Sequence, residues 1–382
     1  MRREEARMAE EPLRLLQFTK SFHIGGTEVQ VVELLRGLPS SYRVQLGVLQ
    51  DMGPLMDSVH RLGFTPEVFP LNGSLARPNS VVQVVRLARW LRQQRVELVH
   101  AHDFYSTMLV VPAAKLAGTK VIVGRLDLAH WHGAARREVL RGLTRMADHV
   151  VGNAEAIRRM LVEEEGLPPE RVSVIPNGLD LKRFGARVRE GLKAPLPDTK
   201  GAPVVVHVAN MNHPVKRQED LLRALAQLRG EGHVLHAFLV GDGPRRTELE
   251  GLAGQLGLRD TVHFLGHRSD VPAIYARADF GVLCSTAEGM SNAVMEGMAA
   301  GLPMVVTRVG GNPELVADGE RGLVVPPLQP EAMAGAFRRL LADRELGGRM
   351  GAEARAFVER ELSLERLVRR HDALYRRVAR GG

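Results

Sequence analysis

Short, unbroken apolar runs alternate along this chain with longer stretches in which apolar residues fall at helical spacing. In the first half the runs cover Leu13–Thr19 and residues 44–49, 96–101, 121–125, 149–152 and 171–175, with a shorter one at 67–69. Runs of this length without a polar alternate position predict strands buried on both faces, as in a parallel sheet. Between them, helices are predicted near 29–38 (Val29, Val32, Leu35, Leu38), 55–62, 81–94, 107–117, 134–146 and 154–162. The second half repeats the pattern. Strands are expected at 204–209, 236–240, 262–265, 280–283, 304–307 and 323–325, and helices at 219–230, 246–256, 271–276, 292–300, 330–341 and 348–361. A basic helix follows over 362–380.

Strand–helix alternation in both halves predicts two doubly wound, Rossmann-like α/β domains facing a central cleft. Residues 186–202, rich in Gly, Pro and Lys and without a period, read as the linker. This gives an N-terminal domain at 1–185, a C-terminal domain at 203–361, and a terminal helix at 362–382 that packs back on the N-terminal domain.

In such a sheet, ligands bind at loops beyond the carboxyl ends of the strands. The richest loop is Cys284-Ser285-Thr286-Ala287-Glu288-Gly289-Met290-Ser291-Asn292, which leads into a helix with Asn292 as its expected N-cap and Gly301 and Pro303 at its end. Glu288 and Glu296 stand seven residues apart, one before the helix and one in its early turns. A helix N-terminus favours phosphate, so the stretch suits a ligand with a central diphosphate and hydroxyls at both ends. On spacing alone it also reads as two solvated glutamates around an ordinary helix. Gly25-Gly26 precede the first helix, where a capping box of Thr27 and Gln30 is expected and the backbone can approach a ligand or simply turn. His102 follows the fourth strand and reads either as a ligand contact or as a structural histidine. Asn153 is the expected cap of the helix after the sixth strand.

Charge adds one informative residue. The chain has 7 lysines against 45 arginines, and Lys216 is the only lysine after residue 200. It sits in the loop Asn210-Met211-Asn212-His213-Pro214-Val215-Lys216-Arg217, and a compact ammonium there fits a phosphate. Net charge is +8, and residues 1–200 hold 29 Lys/Arg against 22 Asp/Glu. That basic half fits an anionic acceptor or anionic lipid headgroups. Arg136, Arg137, Arg141 and Arg145 alternate with Val139, Leu140, Leu143 and Met146 on a helix that reads as a surface or an interfacial one. A polar, histidine-rich loop with Trp131 precedes it. Aromatic content of 4% without basic–aromatic interleaving argues against nucleic acid. No apolar stretch spans a membrane, residues 1–11 lack a signal core, and a single cysteine, Cys284, fits a cytoplasmic protein without disulfides. No Cys/His cluster has zinc spacing.

Taken together, these motifs resemble the retaining, nucleotide-sugar-dependent glycosyltransferases of family 4 (glycosyl transferases group 1), which have the GT-B fold. The likeness runs from Leu13 to about Leu341. Glu288 to Glu296 looks like the family's E-x7-E motif, and Gly25-Gly26, His102, Asn177-Gly178-Leu179-Asp180 with Phe184, Lys216 and Gly241-Asp242-Gly243-Pro244 fall in the family's order.

The resemblance implies that His102, Lys216 and Glu288 are the catalytic residues. Glu288 and His102 would hold the donor sugar, and Lys216 the departing diphosphate. It implies substrate contacts from Gly25, Gly26, Asn212, Arg217, Gly241, Gly289, Met290, Ser291 and Asn292, from Glu296 at the ribose, and from His267 and Arg268 at the base. It implies no metal and no cofactor. The partners would be a UDP- or GDP-sugar and a glycan or lipid-linked acceptor in surface or exopolysaccharide synthesis, with peripheral membrane contact through the basic first half. The family's arginine before the lysine is missing here, and Arg217 replaces a small residue, so Arg217 or His213 is expected to supply the second positive charge. A non-catalytic sugar-nucleotide-binding subunit and a GT-B-type epimerase are the alternatives.

Overall fold

The computed structural model describes residues 11–71, 78–127 and 133–381; the N-terminal segment up to residue 10 and the loop around Trp131 lie outside the described residues. The chain forms two units, residues 1–178 with 364–382, and residues 179–363.

The first unit holds a seven-stranded parallel sheet of β1 (Leu13–Thr19), β2 (Tyr42–Val48), β3 (Glu67–Val68), β4 (Leu98–Ala101), β5 (Lys120–Arg125), β6 (His149–Gly152) and β7 (Val172–Val174). Their order is β3-β2-β1-β4-β5-β6-β7. The second unit holds six parallel strands, β8 (Val204–Val208), β9 (His236–Val240), β10 (Val262–Gly266), β11 (Phe280–Leu283), β12 (Met304–Thr307) and β13 (Gly322–Val325), in the order β10-β9-β8-β11-β12-β13. Each sheet reverses its winding once, between β1 and β4 in the first and between β8 and β11 in the second. These are the points at which loops diverge and leave a crevice. The apolar runs make these strands because both faces are covered: β9 and β11 are buried at every position.

Helices cover both faces. In the first unit Leu364, Leu367, Leu374, Tyr375 and Val378 of the helix Leu364–Ala379 pack with Leu15, Leu34, Leu98 and Ile122. Recurrence every three or four residues gives that helix one apolar face. In the second unit Leu221, Leu225 and Phe337 close one face of the sheet, and Met295, Met298 and Val358 the other.

Several local expectations change. Residues 181–191 of the region read as linker and its approach form a helix, capped by Asp180 and packed on the helix Val271–Tyr275, where a Cβ on Gly191 would touch Ala273. Thr27 and Gln30 form no capping box. The helix Gly26–Gly37 has Gly25 as N-cap without a side-chain bond, and Gln30 instead clamps the backbone N–H and C=O of Gly178. Asn153 does not cap its helix; Ala154 holds the N-cap position, and the helix Glu155–Arg159 runs on into a π-helical turn, Met160–Glu164.

Candidate active site

At the β8/β11 switch point two loops converge. The loop after β8 begins at Ala209 and ends in a short turn, Pro214–Lys216, followed by Arg217 at φ 51°. Arg217 thus takes a left-handed conformation that favours glycine. Gly241 and Gly243 after β9 press against this loop; a Cβ on Gly241 would lie 2.2 Å from the Ala209 carbonyl, and one on Gly243 2.4 Å from Asn212 Oδ1. Gly241 therefore braces the lysine loop, while Asn212 and His213 are exposed at its crest.

The loop after β11 is tied to the first one. Cys284 is fully buried, its Sγ 3.2 Å from the carbonyl oxygens of both Lys216 and Arg217, and Thr286 N–H donates to the Val215 carbonyl at 2.9 Å. Burial pushes the thiol well above its ordinary range. The two loops present a cation and a carboxylate to each other: Lys216 Nζ donates to Glu288 Oε1 at 2.5 Å. Ser285 Oγ donates to the same oxygen at 2.6 Å. A third loop braces the backbone that carries Glu288. Gly311 N–H donates to the Gly289 carbonyl at 2.9 Å, and Gly310, at φ 51°, runs so close that a Cβ would stand 1.8 Å from the Glu288 carbonyl oxygen.

Gly289, Met290 and Ser291 lead into the helix Asn292–Ala299. Its cap is Ser291, not Asn292. The serine hydroxyl accepts from Val294 N–H three residues on, the geometry an N-cap requires. Gly301 stands just past the helix at φ 84°, as a glycine C-terminus does. Glu296 lies half-buried in the second turn, and its charge helps burial to raise the Tyr275 phenol far above its usual range.

His267 and Arg268 follow β10. Arg268 is held by both oxygens of Asp270 at 2.7 Å and lines a cavity of about 480 Å³ with His267, Arg187 and Gly191. Three strand spacings, roughly 14 Å, separate β10 from β11. Arg217 is not delivered to the Lys216–Glu288 pair as a spare cation: Asp220 at 2.8 Å and Glu219 at 2.9 Å hold its guanidinium.

In the first unit Gly25, Gly26 and His102 sit at the β1/β4 switch point. The space a Gly25 side chain would fill is taken by the Glu28 carboxylate, which burial keeps above the usual carboxylate range. Asp103 ties the two loops, accepting from Lys20 N–H at 2.7 Å and from Ser106 N–H at 3.0 Å. His102 is 6% exposed and lines a cavity of about 100 Å³ with Thr27, Phe104 and Arg125. Its Nε2 lies 2.5 Å from Gln17 Oε1. Burial, then the neighbouring His371, pushes its pKa down to about 3, so the imidazole is neutral. Arg125, at the end of β5, is buried in a two-pronged pair with Glu165 at 2.7 and 3.0 Å. Among the described residues no group of three or more His, Cys, Asp or Glu is arranged to hold a metal, and no helix is long and apolar enough to cross a membrane.

Sequence reasoning passed over Ser285, Gly310, Gln17 and Tyr375. The Gly310-Gly311 doublet after a strand and a lone glutamine inside an apolar strand were the available signals.

Residues 24–183 match the family described as Glycosyltransferase Family 4, and residues 202–343 match Glycosyl transferases group 1. The chain is 31% identical over 289 residues to the GDP-mannose-dependent alpha-(1-6)-phosphatidylinositol monomannoside mannosyltransferase of Mycolicibacterium smegmatis, covering 71% of this chain and 74% of that one. It is 26% identical over 308 residues to the N-acetyl-alpha-D-glucosaminyl L-malate synthase of Bacillus anthracis, covering 79% and 80%. In fold it is similar to Anabaena Alr3699/HepE in complex with UDP-glucose, with TM-score 0.82, 23% identity, and coverage of 95% of this chain and 100% of that one.

Proposed function

Because the chain belongs to the group 1, family 4 glycosyltransferases and has their GT-B fold, we propose that it moves a sugar from a UDP- or GDP-sugar to a glycan or lipid-linked acceptor, with retention at the anomeric carbon and without a metal. The observation that carries the site assignment is the Lys216–Glu288 pair at the β8/β11 switch point. A nucleotide sugar offers each partner something better than the other. Its diphosphate takes the ammonium, and its sugar hydroxyls donate to the carboxylate that the ammonium releases.

Breaking the sugar–phosphate bond develops negative charge on the diphosphate and positive charge at the anomeric carbon. Lys216 stabilises the first, with help from backbone N–H groups between Gly289 and Asn292. Glu288 orients the sugar, Glu296 the ribose, and the cavity at His267 and Arg268 receives the base. The span from β10 to β11 suits a ligand extended from base to sugar. His102, Gly25 and Gly26, at the first unit's own switch point, are proposed to contact sugar and phosphate groups. With Arg217 engaged by two carboxylates, Lys216 carries the side-chain positive charge of the clamp. His213 Nδ1 accepts from Val215 N–H at 3.2 Å, which shapes the turn under the lysine.

The acceptor reading follows the relatives, one of which uses a phosphatidylinositol glycolipid. Peripheral contact with an anionic membrane surface, from the cytoplasmic side, is supported by the helix Ala134–Met146, where Val139 and Met146 are exposed among arginines.

The test is a panel of UDP- and GDP-sugars, read by thermal stabilisation and by nucleotide release with oligosaccharide and glycolipid acceptors. One donor class should stabilise the wild type. Glu288→Gln and Lys216→Ala should each lower transfer about 100- to 1,000-fold with folding unchanged. Wild-type rates in both variants would refute the site, and absence of turnover with every donor would favour a binding subunit.

A further inference from the structure

The C-terminal helix reaches the first unit's site through a chain of side-chain hydrogen bonds that no requirement of packing explains. Gln17 on β1 pairs in register with His100 on β4. Their side chains share the sheet face with Leu15 and Leu98, which the helix Leu364–Ala379 covers. There Gln17 Nε2 donates to the Tyr375 hydroxyl at 3.0 Å, and that hydroxyl lies 2.8 Å from His100 Nδ1. Gln17 Oε1 meets His102 Nε2 at the other end. The His100 and His102 rings are 3.9 Å apart, and His371, its Nδ1 donating to the Leu367 carbonyl, lies 5.8 Å from His100. Gln17 is fully buried, and His100 Nε2 is buried without a partner. A polar layer that leaves a ring nitrogen unsatisfied costs stability.

The chemistry of the chain dictates a consequence. A carbonyl oxygen only accepts, so a neutral His102 bonded to Gln17 Oε1 carries its proton on Nε2 and keeps Nδ1 as an acceptor. Gln17 has one carbonyl end and one amide end; its amide end is engaged by Tyr375, so the sense of Gln17 and the tautomers of His100 and His102 are set together through that hydroxyl. The tyrosine oxygen accepts from the amide and gives its own proton to His100 Nδ1, which leaves the carbonyl for His102.

We propose that Tyr375 and Gln17 are positioning residues that fix the tautomer of His102, so that the C-terminal helix determines whether His102 accepts or donates toward a bound hydroxyl. The link to transfer rests on the role given to His102 above; the control of the tautomer does not.

The test uses the full chain labelled with 15N-histidine. In the wild type the ring nitrogen shifts of His102 should report a proton on Nε2. Tyr375→Phe keeps the ring and removes the oxygen. Gln17 can then turn its amide toward His102, which must accept at Nε2 and hold its proton on Nδ1. Gln17→Met severs the same link from the sheet side, in case the tyrosine variant folds poorly. Either variant should redistribute the His102 proton. Transfer should fall roughly tenfold or more in kcat, as when a histidine loses its orienting partner, with KM for the donor unchanged. The loss should disappear on a His102→Ala background, where a merely structural defect would add. An unaltered His102 tautomer in both folded variants would overturn the proposal. A redistributed tautomer with unchanged transfer would uphold it and remove His102 from the reaction instead.

Discussion

At the second sheet's switch point a lysine from one loop meets a glutamate from another; at the first sheet's, neutral imidazoles are threaded on a glutamine and a tyrosine. Both arrangements sit where parallel strands diverge, yet they answer ligands differently. An ion pair can be exchanged, because an incoming anion takes the cation and incoming hydroxyls take the carboxylate. A neutral relay can only be turned, because each partner already holds the next in a fixed sense. The supports differ accordingly. Glu288 is backed by glycine backbone at Gly310 and Gly311, whereas His102 is backed by side chains from three separate elements.

Acid should separate the two most sharply. Burial depresses the pKa of His102 to about 3 and of His371 to about 4, and places His100 well below its usual value. A histidine whose folded pKa is depressed contributes stability above its ordinary value of 6.5, and that stability is lost as pH falls below it. At pH 5 the loss is roughly 2 kcal/mol for each of His102 and His371. The second unit has one fully buried histidine of this kind, His207, at about 3. Both tryptophans, Trp90 and Trp131, belong to the first half, and Trp90 packs edge-on against Phe69. Tryptophan emission should therefore change on acid titration before the far-ultraviolet circular dichroism collapses. Coincident transitions would show that the histidine layer does not set the first unit's acid limit.

A smaller effect tests the backbone support of the other site. Gly310→Ala puts a methyl group against the Glu288 carbonyl in a left-handed conformation, and should cost roughly 1–3 kcal/mol of stability. Displacing Glu288 by an ångström should lower transfer on the order of a hundredfold. A variant as active as wild type would mean that the carboxylate is positioned by Lys216 and Ser285 alone. The smallest effect belongs to the helix beyond. Ser291→Ala should lower stability by about 1 kcal/mol in urea denaturation through loss of the cap, and Asn292→Ala should cost clearly less. A larger loss at Asn292 than at Ser291 would return the cap to Asn292.

The strands were legible because a parallel strand buried on both faces leaves an unbroken apolar run, as in Phe280–Leu283. Lys216 and Glu288 were legible as individuals, one through its rarity and the other through its spacing. Their pairing was not, because it depends on which strands become neighbours. The relay was less legible still. Gln17 and Tyr375 are 358 positions apart, and a tyrosine on a helix face reads as ordinary core. The misplaced caps have a local cause. Ser291 and Asn292 are both good cap residues, and only the backbone path of the preceding loop selects between them.

The packing of Leu364–Ala379 on the first unit also bears on how the protein is made. When the ribosome has completed residue 178, Leu15, Leu98 and Ile122 still lack the cover of that helix. Roughly 180 more residues must be added before the covering helix is synthesised, about 10–40 s at cellular rates. Through that interval the early half is an exposed, unfinished core while the later half can already fold. The order of synthesis is thus the reverse of the order of completion, and the core beneath His102 is closed only when the last helix arrives.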